Sequence, residues 1–172
     1  SFLGVDTCDW DDPSTYADAD VVILGAPFDG GASYRSGARF GPNAIRGTDY
    51  LPHDGSRPSL ALRTDGLKDL RVYDAGDVEM FNGDVVGALG NLEAAVEKVR
   101  AQGVIPVTLG GDHSIAYPDA KGCANVLGLG NVSMIHFDAH ADTGDIEFGS
   151  LWGHGQPMRR LIESGAVRGD RF

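Results

Sequence analysis

The octapeptide IHFDAHAD, residues Ile135–Asp142, carries three metal-capable side chains at alternate positions: Asp138, His140 and Asp142. In an extended backbone, side chains at i, i+2 and i+4 project to one side. Two carboxylates and an imidazole therefore converge just past the apolar run Val132–Phe137. A second apolar run leads into TLGGDHS, which sets His113 just beyond it, with two glycines allowing a sharp turn. Two strand ends thus deliver nitrogen and oxygen ligands to one rim. Such a carboxylate-rich set suits Mn2+ or another borderline divalent ion better than a structural zinc, which seeks thiolates.

Four apolar runs rich in β-branched residues are predicted as buried strands: Val21–Ala26, Leu70–Gly76, Val104–Gly111 and Val132–Asp138. Between the second and third, Val85, Leu89, Leu92, Val96 and Val99 recur at helical spacing, and Gly103 follows as a stop. Continuous apolar strands alternating with helices predict a parallel sheet covered on both faces. In such sheets the chemistry gathers at the carboxyl ends of the strands. The stretch Ser56–Asp69 reads as a long surface loop.

With 172 residues the chain is about the size of one domain. A formal net charge of −11 argues against nucleic acid or an anionic membrane as partner and is compatible with a cationic substrate. Cys8 and Cys123 are too few for a disulfide framework, so a reducing, cytoplasmic setting is expected. No apolar run approaches the length of a bilayer span. The glycine-rich FDGGASYRSGARFG lacks the G-K-[ST] of a phosphate loop, and GLGNVS lacks the third glycine of a dinucleotide fingerprint.

Taken together, GGDHS (Gly110–Ser114), DAHAD (Asp138–Asp142) and GHGQPMRR (Gly153–Arg160) resemble the signatures of the ureohydrolases, the arginase and agmatinase family. GAPFDGGASYRSGARFGPNAIR (Gly25–Arg46) and YDAGDV (Tyr73–Val78) resemble the agmatinase-type branch. The resemblance implies a three-layer α/β/α fold with a mainly parallel sheet. It also implies hydrolysis of a guanidino compound to urea and an amine, by a hydroxide bridging two Mn2+ ions. By position, His113 and Asp142 would hold one ion, His140 the other, and Asp138 would bridge both. His154 matches the family histidine that shuttles a proton beside the metals. The expected partners are a small cationic guanidino substrate and further copies of the chain, as a trimer or hexamer.

The family's site is completed by a downstream D-x-D pair and a later glutamate that holds the guanidinium; neither lies in this sequence. Residues 1–172 are therefore expected to form a single ureohydrolase-like α/β domain, the N-terminal half to two-thirds of the family chain, with its C-terminal part missing. A non-catalytic half-domain acting as structural or regulatory partner of a complete homologue is the alternative from another class. On the substrate side, arginases follow D-x-H-x-D with asparagine and place S-x-N before the catalytic histidine. Here Thr143 and Gly144 follow Asp142, and Trp152 stands at the second asparagine position. The polar groups that grip an amino-acid head are absent, which favours agmatine or another guanidino compound without an amino-acid head over arginine, with an arginase or other guanidino-acid amidinohydrolase as the near alternative. Trp152 either lines an apolar channel, stacks on a cation or packs its loop.

Other polar residues have blander readings. His136 lies inside the apolar run and is expected to be a buried, hydrogen-bonded histidine in or behind the site. His53, in LPHDG, is expected at the surface. Asp112 is expected to orient its loop or a ligand, and Asp77 to support the site or a turn.

Overall fold

The run Val21–Ala26 is buried along nearly its whole length because it is an inner strand of a parallel sheet. A computed structural model of the chain describes residues 1–48 and 58–172. In chain order the elements are β1 (Asp6–Thr7), β2 (Val21–Ala26), α1 (Gly41–Arg46), β3 (Pro58–Ser59), β4 (Thr64–Asp65), β5 (Val72–Asp77), α2 (Val85–Ala101), β6 (Ile105–Gly110), α3 (Ala116–Leu127) and α4 (Pro157–Glu163). The main sheet has the order β1-β5-β2-β6 and every pair in it is parallel. Val22 is flanked by Tyr73 on one side and Pro106 on the other. Three of the four expected strands form within a residue or two of their sequence limits.

The pleat of β2 decides what covers each face. Val22, Leu24 and Ala26 point to one side and bury themselves against Leu92, Ala95, Val96 and Val99 of α2. That helix starts where Asp84 caps it, accepting the Gly87 amide at 2.9 Å, and it ends before Gly103 at φ +82°. Gly25 points to the other side, where a side chain would collide with Asp77 and Arg46. Arg46, at the end of α1, holds Asp74 through two hydrogen bonds of 2.9 Å and also pairs with Asp77. Asp77 is thus a structural ion-pair partner that fastens α1 to β5.

A second layer contact brings α3 against α2. A methyl on Gly122 would lie 2.8 Å from the Glu93 carbonyl oxygen, so glycine there permits the close approach. Ala120 and Ala124 of α3 join Met158 and Leu161 of α4 in a separate cluster, which Val132 and Met134 pack against.

Two expectations are corrected. Val132–Asp138 is not a strand: its regular pairing is a single parallel bridge, Val132 to Val167, and the Met134 amide donates to the Arg171 carbonyl at 2.8 Å. The segment stays extended, with Val132, Met134 and His136 half-buried, but a ladder needs successive bridges to a neighbouring strand, and among the described residues there is only that one. Ile135 and Phe137 are consequently 80% and 96% exposed. The edge strand β6 likewise exposes Ile105 and Val107. Within the predicted loop Ser56–Asp69, β3 and β4 pair as a short antiparallel ribbon. His53 lies outside the described residues. No described helix is long and apolar enough to cross a membrane.

Candidate metal centre

Past the end of β6, Gly111 adopts φ +82°, and the chain turns into Asp112 and His113. Asp112 is buried and fully engaged. Its Oδ1 accepts the Ser114 amide at 2.8 Å together with the Ser114 hydroxyl, and its Oδ2 accepts the Gly31 amide at 2.8 Å. The carboxylate thereby fixes the turn that presents His113, as its position in the sequence suggested.

His113 Nε2 lies 3.1 Å from Asp142 Oδ2 and 4.0 Å from Asp138 Oδ2. His136 enters the same group: its Nε2 is 3.1 Å from His113 Nε2, 3.4 Å from Asp138 Oδ2 and 3.5 Å from Asp142 Oδ2. The two imidazoles stack with centroids 5.0 Å apart and planes 6° from parallel. One ligand atom from each of His113, His136, Asp138 and Asp142 falls within 4.8 Å of all the others, the sole such group among the described residues. His140 stands beside this cluster. Its amide donates to Asp138 Oδ1 at 2.8 Å and its Nδ1 is 3.2 Å from the same oxygen, while its side chain is 81% exposed. That amide hydrogen bond, foremost among several contacts, holds the Asp138 carboxyl below its ordinary range.

The donor set fits a divalent cation. Two carboxylates and two imidazole nitrogens lie within 4.8 Å of one another, the nitrogen and oxygen donor types that borderline divalent ions take. Asp142 reaches that point from a left-handed backbone at φ +49°, a costly conformation for a residue with a Cβ. Its carbonyl accepts the Met158 amide at 3.1 Å, which ties the turn to the start of α4.

His154 reaches the cavity from the loop that precedes α4. Its amide donates to the Gly31 carbonyl at 3.0 Å. The fully buried Gln156 holds the preceding loop closed. Its Nε2 donates to the Ser150 carbonyl at 2.7 Å and to the Asp145 carbonyl at 3.3 Å, and its Oε1 accepts the Gly153 amide. The loop and the cluster enclose one cavity of about 520 Å³. His113, Asp138, His140, Asp142 and His154, all singled out from sequence, line it together with Thr143, Gly144, Glu147 and Gly155.

Trp152 does not line this cavity. It packs with Phe28, Ala88 and Leu89, its ring 5.4 Å from Tyr117 and tilted by 49°, so it holds the loop rather than a channel. The arginine-bearing loop after β2 holds the segments that carry the site. Asp29 is buried and takes Arg39 Nε at 2.8 Å and the Gly37 amide at 2.7 Å, which sets Gly31 between Asp112 and His154. Sequence reasoning missed Gln156 and Glu147, and put His136 at one remove. The alternation His136–Asp138 was the available signal for the last.

A four-donor cluster beside the carboxyl end of β6 marks a candidate metal centre in an α/β protein with a parallel sheet. Comparison with known proteins gives the family: the chain belongs to the arginase family, whose model matches residues 19–172. It is 37% identical over 148 residues to the mitochondrial agmatinase of Gallus gallus, covering 86% of this chain and 42% of that protein. It is 38% identical over 153 residues to the mitochondrial guanidino acid hydrolase of Homo sapiens, covering 86% of this chain and 41% of that one. The crystal structure of Trypanosoma cruzi formiminoglutamase with Mn2+ superposes with a TM-score of 0.78 at 32% identity, over 91% of this chain and 52% of that chain. The chain thus spans about half the length of the relatives it matches.

Proposed function

We propose that the protein is a manganese-dependent amidinohydrolase of agmatinase type, which converts agmatine and water to urea and putrescine. The observation that carries this reading is the shared cavity, which His113, Asp138, His140 and Asp142 line together with His154. Family membership and the agmatinase likeness support the reaction class. The T. cruzi relative's Mn2+ supports the metal.

A guanidinium is cationic and resonance-stabilised, so neutral water attacks it poorly. When bound, two close Mn2+ ions would supply a strongly acidified water at neutral pH. His113 and Asp142 would hold one ion, His140 the other, and Asp138 would bridge them. The two carboxylates also offset the substrate's positive charge. As the new C–O bond forms at the guanidino carbon, a C–N bond breaks, and the departing amine needs a proton. His154 would donate it, an imidazole being suited to proton transfer near neutrality. Its ring is carried by a loop that Gln156 and Gly31 hold rigid.

Thr143 and Gly144 line the cavity where arginases are expected to carry asparagine, which supports a substrate without an amino-acid head. A homo-oligomeric, cytoplasmic enzyme completes the reading, on the family resemblance and the absence of a disulfide framework. The test is urea release by the Mn2+-loaded full-length protein. Turnover of agmatine well above that of arginine is expected; cleavage of arginine instead, or urea from neither, overturns the assignment.

A further inference from the structure

Glu147 is the acidic residue of the cavity that neither the metal cluster nor the proton transfer uses. It sits on the loop between Asp142 and His154, where its backbone pairs with Ser150 through hydrogen bonds of 3.1 and 2.9 Å. Phe148 and Gly149, at φ +50° and +79°, make the tight turn that aims it. Its carboxylate lies against two glycines of the cavity wall. A methyl on Gly155 would come within 2.8 Å of Oε2, and one on Gly144 would collide with Oε1. Gly155 follows His154 directly, and Gly144 is two residues from Asp142, so the carboxylate is seated between the proton donor and a cluster ligand. Nearby Asp145 is engaged by Arg159 at 3.4 Å and Arg160 at 3.0 Å. Glu147, by contrast, takes no side-chain hydrogen bond or ion pair among the described residues. A half-buried carboxylate held in a wall without a cation is an acceptor whose partner comes from outside.

We infer that Glu147 is a specificity residue that binds the distal ammonium of an amine-tailed guanidino substrate and repels carboxylate-tailed ones. The inference rests on the amidinohydrolase reading for the identity of the other end of the substrate. With the guanidinium at the cluster and the scissile nitrogen at His154, the tail remains in the same cavity, and Glu147 is its unengaged charge. The family likeness includes both kinds of tail, an agmatinase and a guanidino acid hydrolase, so one charge of the right sign has something to discriminate.

The experiment compares the Mn2+-loaded full-length protein with Glu147→Gln and Glu147→Asp on agmatine and 4-guanidinobutyrate. Loss of one charged hydrogen bond is expected to lower kcat/KM for agmatine about 10- to 100-fold in Glu147→Gln, mostly through KM. The value for 4-guanidinobutyrate should hold or rise, and Glu147→Asp should keep the preference for the cationic tail. An agmatine-to-guanidinobutyrate ratio unchanged in Glu147→Gln overturns the inference. Calorimetric binding of putrescine and 4-aminobutyrate, neither of which has a guanidino group, reads the same pairing without turnover. Putrescine binding weakened by Glu147→Gln supports it, and equal binding overturns it. Weakened binding in a protein that releases no urea from any guanidino compound would sink the amidinohydrolase reading and leave the Glu147 assignment standing.

Discussion

Asp112 and His154 are joined through one residue: Gly31 donates its amide to Asp112 Oδ2 at 2.8 Å, and its carbonyl accepts the His154 amide at 3.0 Å. The turn that presents His113 and the loop that presents His154 are therefore registered on the same residue of the loop after β2. A side chain on Gly31 would approach the Ser114 hydroxyl to 2.7 Å and Asp112 Oδ1 to 3.1 Å, so the bridge requires its small size.

Asp112→Ala should weaken Mn2+ binding about 10- to 100-fold, the usual effect of removing a group that orients a metal ligand. Mn2+ calorimetry on the full-length protein checks this. Unchanged affinity would mean that His113 is held by packing alone.

His140 and His136 give opposite expectations. His140→Ala should reduce bound Mn2+ from two ions to one and abolish urea release, as expected of a ligand to the second ion. His136→Ala should keep two ions with affinity lowered about 10- to 100-fold, as for a group supporting the ligands. Metal content by mass spectrometry after dialysis separates the two, and the reverse pattern would make His136 the ligand.

His154→Asn removes a titratable proton donor while keeping a polar side chain of similar size. The expected result is a fall in kcat of about 10²- to 10⁴-fold with the Mn2+ content unchanged. Turnover retained within a factor of a few would remove His154 from the proton transfer.

Gln156→Ala leaves the Gly153 amide and the Ser150 and Asp145 carbonyls without their shared partner. Stranding buried polar groups costs about 1–3 kcal/mol each in the unrelaxed case. Because the loop can turn outward to water, a net loss of about 2 kcal/mol is expected. A urea melt should show it as a lower midpoint at unchanged slope.

The Arg39 hydrogen bonds, helped by the Gly37 amide, hold the buried Asp29 carboxyl down to about 2, from 3.8 in the unfolded chain. The native state then binds fewer protons than the unfolded state between those values. The stabilisation from this pair is complete above the unfolded value and is lost as pH falls through about 4 to 2. Asp29→Asn should flatten that part of the stability profile, measured as urea midpoint against pH; an unaltered slope there would mean that other carboxylates dominate.

Much of this was legible in residue order because it depends on local period. The β-branched runs define β2, β5 and β6 almost to the residue, and the spacing of Leu89, Leu92, Val96 and Val99 defines the buried stripe of α2. The alternation of Asp138, His140 and Asp142, together with His113, marks the cavity wall. Pairing was not legible in this way. Val132–Phe137 has every local property of a strand, yet a strand exists only where another backbone runs beside it.

By itself, the sequence determined most of the element types, the sheet class, the family and five candidate side chains that line one cavity. These follow from hydrophobic period and from motifs only a few residues long. Only the tertiary structure decided that His136 turns its Nε2 into the His113–Asp142 group, that Trp152 packs away from the cavity, and that Glu147 lines it with no side-chain partner among the described residues. Those outcomes depend on contacts between segments far apart in the chain, and no local spacing encodes a distance between them.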